Sequence, residues 1–168
     1  MLFRSVGAAA APAEVRARWN ESAVFFEFLC RDASVISPGE RDGLDHFKLG
    51  DVVEIFLGCA GRPAYVELHA TPVGRKTVYA FSGYRQASAL PAVGEVRAGR
   101  IEGGWRAVLS IPWQSLGDDP RDGSWEFLAG RYDYDEPGGK PTLSSFPPQT
   151  GKPDFHARER YARLVLRP

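Results

Sequence analysis

Alternation of apolar and polar residues runs through most of the chain. From Ala13 to Asn20, Val15, Ala17 and Trp19 fall on one side of a period-2 segment, and Arg16, Arg18 and Asn20 on the other. Ser22 to Asp32 repeats the pattern with Val24, Phe26, Phe28 and Cys30 on one face, and Asn20-Glu21-Ser22 supplies the turn between the two segments, which are predicted to form a hairpin. Further strands are predicted over Asp51 to Gly58, Pro63 to Pro72, Lys76 to Phe81, Val93 to Ala98, Gly104 to Pro112, Ser124 to Tyr134 and Tyr161 to Arg167, each bounded by turn residues. Helical periodicity is confined to single turns at Pro112 to Leu116 and Ala157 to Tyr161. Ala33 to Leu49 and the Gly- and Pro-rich Glu136 to Pro153 read as long loops, which are usually functional or disordered. Short strands at this spacing predict an all-β fold, an antiparallel sandwich of immunoglobulin-like or jelly-roll-like type with few or no helices. A closed barrel fits the same pattern.

The chain has 168 residues, enough for one domain with its own core. The alternation begins at residue 13, so 1–12 is expected to be a flexible, Ala-rich segment and 13–168 a single sandwich domain. With 21 basic and 21 acidic residues the formal net charge is zero, which argues against nucleic acid or an anionic membrane as a partner. The apolar runs are strand-sized, well short of the roughly 20 residues of a spanning helix. The N-terminus lacks a basic segment followed by a sustained apolar run, so no signal peptide is expected and the chain reads as cytoplasmic. Cys30 and Cys59 are expected to be free, buried thiols.

Candidate chemistry concentrates around two strands. In Pro63 to Pro72, Ala64, Val66, Leu68 and Ala70 make an apolar face, while Tyr65, Glu67 and His69 line the other, with Glu54 a neighbour if the two strands pair. Arg131 and Asp133 share a face of the strand Phe127 to Tyr134, and Arg131 beside Glu67 reads either as a salt bridge between strands or as part of a polyol site. In that site planar rings such as Tyr65 or Tyr79 stack on a sugar while Glu67, Arg131 and Asp133 hold its hydroxyls. Trp19, Trp105, Trp113 and Trp125 share faces with apolar residues and are expected in the core. No nucleophile elbow, phosphate loop or zinc-protease motif occurs, which leaves paired carboxylates from Glu54, Glu67 or Asp133 as the only hydrolase reading. Asp32, Asp42, Asp45 and Asp51 are candidate calcium ligands.

The ordered set Ala17-Arg18-Trp19-Asn20, Gly50-Asp51-Val52-Val53-Glu54-Ile55-Phe56-Leu57, Tyr65-Val66-Glu67-Leu68, Gly103-Gly104-Trp105 through Trp113, Arg131 and Phe155-His156-Ala157-Arg158-Glu159 resembles the family 9 carbohydrate-binding modules and their DOMON-like relatives. The resemblance covers most of the chain. It implies an immunoglobulin-like sandwich that binds a mono- or oligosaccharide without catalysis, with structural calcium as the one cofactor to expect. Glu54, Tyr65, Glu67, Arg131 and His156 fall on motif positions. The chain departs from the pattern where such proteins often carry a Trp, having Thr142-Leu143-Ser144-Ser145-Phe146 there. Haem-binding relatives use Met and His ligands, and Met1 is the sole methionine, so haem is not expected. The rival expectation is a sandwich that has lost sugar binding and serves a protein partner.

Overall fold

In a computed structural model of the chain, the backbone is described for residues 2–4, 12–88, 93–116 and 124–166. Twelve strands lie among them: β1 (Leu2–Arg4), β2 (Ala13–Trp19), β3 (Ala23–Arg31), β4 (Val52–Cys59), β5 (Tyr65–Ala70), β6 (Lys76–Gly83), β7 (Gln86–Ala87), β8 (Glu95–Ile101), β9 (Gly104–Pro112), β10 (Trp125–Asp133), β11 (Thr142–Phe146) and β12 (Ala162–Leu164). The helical content of the described residues is three short 3₁₀ turns, His46–Lys48, Trp113–Leu116 and Arg158–Arg160. The expected all-β sandwich is what forms. One antiparallel sheet runs β1-β2-β3-β9-β8, and the other β11-β10-β4-β5-β6-β7 with β12 also on β10.

The alternation explains how the sheets meet. Val24, Phe26, Phe28 and Cys30 of β3 and Trp105, Ala107, Leu109 and Ile111 of β9 face Val53, Ile55 and Leu57 of β4, Val66 and Leu68 of β5, and Trp125 and Phe127 of β10 in one continuous core. Burying a side chain of this size stabilises the fold by about 1.5–3 kcal/mol. Trp105, Trp113 and Trp125 are interior, and Trp19 packs at the edge of the core. Cys30 and Cys59 are free, the first buried and the second half-buried.

Three strands lie outside the predicted set. β1 pairs with β2 through Leu2↔Arg16, inside the segment expected to be flexible, and residues 5–11 of that segment lie outside the described residues. The two-residue β7 closes a tight turn on β6. β11 forms inside the loop read from Glu136 to Pro153, because β10 offers a free edge: β12 covers only Trp125 to Phe127 of that edge, and β11 takes Ala129 to Asp133.

Candidate functional site

The outer face of the second sheet carries the chemistry. Period 2 turns Glu54 and Phe56 of β4, Tyr65, Glu67 and His69 of β5, Thr77, Tyr79 and Phe81 of β6, and Leu128, Gly130 and Tyr132 of β10 away from the core. The register then puts Glu54 opposite His69, Phe56 opposite Glu67, and Glu67 opposite Tyr79. The segment from Pro153 to Tyr161 lies over this face, packing Phe155 against Phe56 and Tyr132. Gly130 permits that approach, since a Cβ there would stand 2.8 Å from Cε2 of Phe155.

These elements enclose a cleft of about 170 Å³. Its floor is Glu54, Phe56 and Glu67, its walls are Phe47, Tyr132 and Phe155, and its rim is Arg85, Leu143, Pro153, Asp154 and His156. At the floor, His69 Nε2 lies 3.2 Å from Glu54 Oε1 and hydrogen-bonds Glu67 Oε1. Glu67 Oε2 is buried without a hydrogen-bond partner among the described residues, 4.0 Å from His156 Nδ1. Burial pushes the Glu54 carboxyl up to about 8 against the pull of His69, with Glu67 adding to the rise. For His69 burial works downward, but Glu54 and Glu67 outweigh it and hold the imidazole above its ordinary value. At the rim burial lowers His156, whose Nδ1 shares a hydrogen bond with the Tyr65 hydroxyl across 2.8 Å. Asp154 is anchored by Tyr84 Oη at 2.6 Å and Arg85 Nη2 at 3.0 Å, and these bonds overcome burial to keep its carboxyl low.

Of the residues singled out in the sequence, Glu54, Glu67 and His156 line this cleft, and His69 sits behind the two glutamates. Tyr65 and Tyr79 share the face without lining the cleft. Tyr65 is buried and cannot serve as a sugar platform, because Phe81 stacks on its ring at 4.7 Å; Tyr79 donates its hydroxyl to Asp45. Arg131 and Asp133 do not join the site. They lie on the opposite face of β10 with Phe127 and Ala129, and Arg131 donates to Arg31 O at 3.1 Å, Asp32 Oδ2 at 3.2 Å and Asp133 Oδ1 at 2.7 Å. The expected pairing of Arg131 with Glu67 is thereby replaced by a buried cluster at the end of the core.

The acidic residues proposed for calcium separate. Asp42 accepts the Lys76 N–H and Asp45 holds Lys48 and Tyr79, while Asp32 and Asp51 meet Asp133 with carboxylate oxygens inside 4.8 Å. That trio does not fit calcium, which takes 6–8 oxygens. Arg131 already stands there as the cation, and the Asp51 oxygens accept the N–H groups of Ile36 and Tyr134.

Sequence reasoning missed several cleft residues. Phe56 and Tyr132 were accessible through period 2, from Glu54 and from Tyr134; Phe47, Arg85, Leu143, Asp154 and Phe155 arrive from turns or an unrecognised strand and left no periodic signal.

No family model and no curated protein matches the sequence. Solved structures do. A Bacteroides uniformis protein to which carbohydrate binding has been ascribed superposes with a TM-score of 0.75 over 93% of this chain and 78% of its own, at 13% identity. A family 9 carbohydrate-binding module from Caldicellulosiruptor kristjanssonii superposes in complex with cellotriose at TM-score 0.63, 14% identity, 86% of this chain and 71% of its own. In complex with glucose the values are 0.62, 16%, 83% and 68%. The fold is therefore that of the family 9 carbohydrate-binding sandwiches, as the ordered motifs led us to expect.

Proposed function

We propose that this chain is a non-catalytic carbohydrate-binding domain that takes one sugar residue, or the end of a short glycan, in the cleft over β4, β5 and β10. The observation that carries the reading is the make-up of that cleft. Carboxylates of Glu54 and Glu67 form its floor between the rings of Phe47, Tyr132 and Phe155, and the paired Arg85 and Asp154 stand at its rim. Hydroxyls need such donors and acceptors, and the apolar face of a sugar ring needs such walls. Its volume of about 170 Å³ is below the roughly 300–1,000 Å³ of pockets that enclose drug-sized ligands, which suits a single ring. The shared fold of a module solved in complex with glucose and with cellotriose supports the ligand class.

Two features favour binding over hydrolysis. Glycosidase carboxylates flank the scissile bond, whereas Glu54 and Glu67 lie together on the floor, tied to one imidazole. The rim residue Asp154 is committed to Tyr84 and Arg85. The test is thermal unfolding in chelator-treated buffer against glucose, other monosaccharides and short oligosaccharides, since a ligand of the native state raises the melting temperature. A rise that saturates with one sugar class is expected, and it should shrink in Glu67→Gln. A flat response to the whole panel at saturating concentrations refutes the reading.

A further inference from the structure

We propose that Glu54, Glu67 and His69 form the protein part of a binding site for one divalent transition-metal ion of the zinc type, at the floor of the cleft. One carboxylate oxygen from each glutamate and the imidazole Nε2 lie within 4.8 Å of one another. Glu54 Oε1 and His69 Nε2 are 3.2 Å apart. Ligands held about 2.0–2.2 Å from a tetrahedral ion stand roughly 3.3 Å from each other, so this pair is already at ligand spacing. Every polar contact of the His69 side chain found among the described residues runs through Nε2, and its ring meets Phe47 and Tyr79 edge-on.

An independent observation points to a ligand here. Glu67 is 5% exposed and lines the cleft, yet its Oε2 has no hydrogen-bond partner among the described residues. A buried carboxylate oxygen left unsatisfied is costly, and an ion is one group that satisfies it. Two carboxylates meet one imidazole at the floor, while the nearby cation Arg85 is held by Asp154. A divalent ion there takes the place of the proton that His69 Nε2 shares with Glu67. The mixed oxygen and nitrogen set suits zinc, manganese or iron(II) better than calcium, which wants more oxygens and no imidazole. Two adjacent, in-register strands hold all three side chains, and the cleft beyond Glu54 and Glu67 leaves room for a water or a sugar hydroxyl as a further ligand.

The site does not depend on the sugar reading, so its test is run without sugar. Chelator-stripped protein is titrated with zinc chloride by calorimetry, and with cobalt(II) by visible absorption. We expect one ion per chain, cobalt bands of low coordination number without a thiolate charge-transfer band, and zinc binding weakened at least about tenfold in Glu54→Gln and in Glu67→Gln, with Cys59→Ser and His46→Gln unchanged. Circular dichroism without metal checks that each variant folds; if one does not, the wild-type cobalt spectrum decides. The proposal is overturned by an absence of wild-type binding, by a thiolate band, or by folded glutamate variants that bind zinc as tightly as wild type. Failure here with a saturable sugar response leaves the sugar reading standing, and the reverse outcome separates the two equally well.

Discussion

Replacing Arg131 by Met is expected to destabilise the protein severely without touching ligand recognition. The guanidinium is 1% exposed and sits among Asp32, Asp51 and Asp133, with hydrogen bonds to two of these carboxylates and to the Arg31 carbonyl. Methionine fills much of the same volume but leaves three clustered acids without their cation. Breaking a buried ion pair from one side costs about 3–5 kcal/mol. For a domain of this size that corresponds to a melting temperature lower by roughly 6–20 °C.

The loss should depend on pH in a defined sense. Burial foremost, with Asp32 and Asp133 beside it, already raises the Asp51 carboxyl from 3.8 to about 7. An acid whose folded pKa is raised contributes most below its unfolded pKa and loses that contribution as pH rises through the folded value. Removing Arg131 takes away the cation that holds Asp133 down against burial, so the deficit in the variant should be smaller at pH 5 than at pH 8. Urea unfolding at both values, followed by the fluorescence of the interior Trp105, Trp113 and Trp125, measures it. A deficit below about 1 kcal/mol at pH 8, or a stable variant that no longer binds a sugar bound by wild type, would refute the structural role given to Arg131.

Gly130→Ala drives a methyl toward the Phe155 ring, 2.8 Å from its Cε2, so a sugar bound in the cleft should be lost or weakened while the fold survives, as calorimetry would register. In wild type, Glu54, raised from 4.5 to about 8, and His69, raised from 6.5, both favour the protonated native state. Metal-free stability should therefore fall as pH climbs from 4.5 toward 8, at up to about 1.4 kcal/mol per unit for each proton, and flatten in Glu54→Gln. Burial pushes the Cys30 thiol up to about 12, so an aromatic disulfide reagent at pH 8 should leave Cys30 unmodified until the protein is unfolded.

The sandwich was legible because both of its inner faces obey period 2. Val24-Phe26-Phe28 and Trp105-Ala107-Leu109 declare a core side without reference to anything else. The outer sheet face that carries the cleft was legible for the same reason, since Tyr65, Glu67 and His69 alternate with Val66, Leu68 and Ala70. Arg131 was misplaced although the signal was present: Trp125 and Phe127 mark the inner face of β10, and counting on by twos carries Arg131 and Asp133 inward with them. The nearby acids make Arg131 part of a buried ion pair, the salt-bridge alternative of the sequence reading but with Asp32 and Asp133 in place of Glu67. β11 was missed because Thr142-Leu143-Ser144-Ser145-Phe146 has little strand character of its own and pairs where β10 leaves an edge open. Arg85 and Asp154 meet across 69 residues of sequence, a contact that only the packed segment after β11 creates.

The most direct test of the cleft is a titration of isotopically labelled protein with the responding sugar, followed by amide chemical shifts. Perturbations should cluster at Glu54, Glu67, Arg85, Tyr132 and His156 and leave Arg97, Arg106 and Phe25, on the outer face of the other sheet, unmoved. Shifts centred on that other face, or spread around Arg131 and Asp133, would place recognition elsewhere and contradict the assignment.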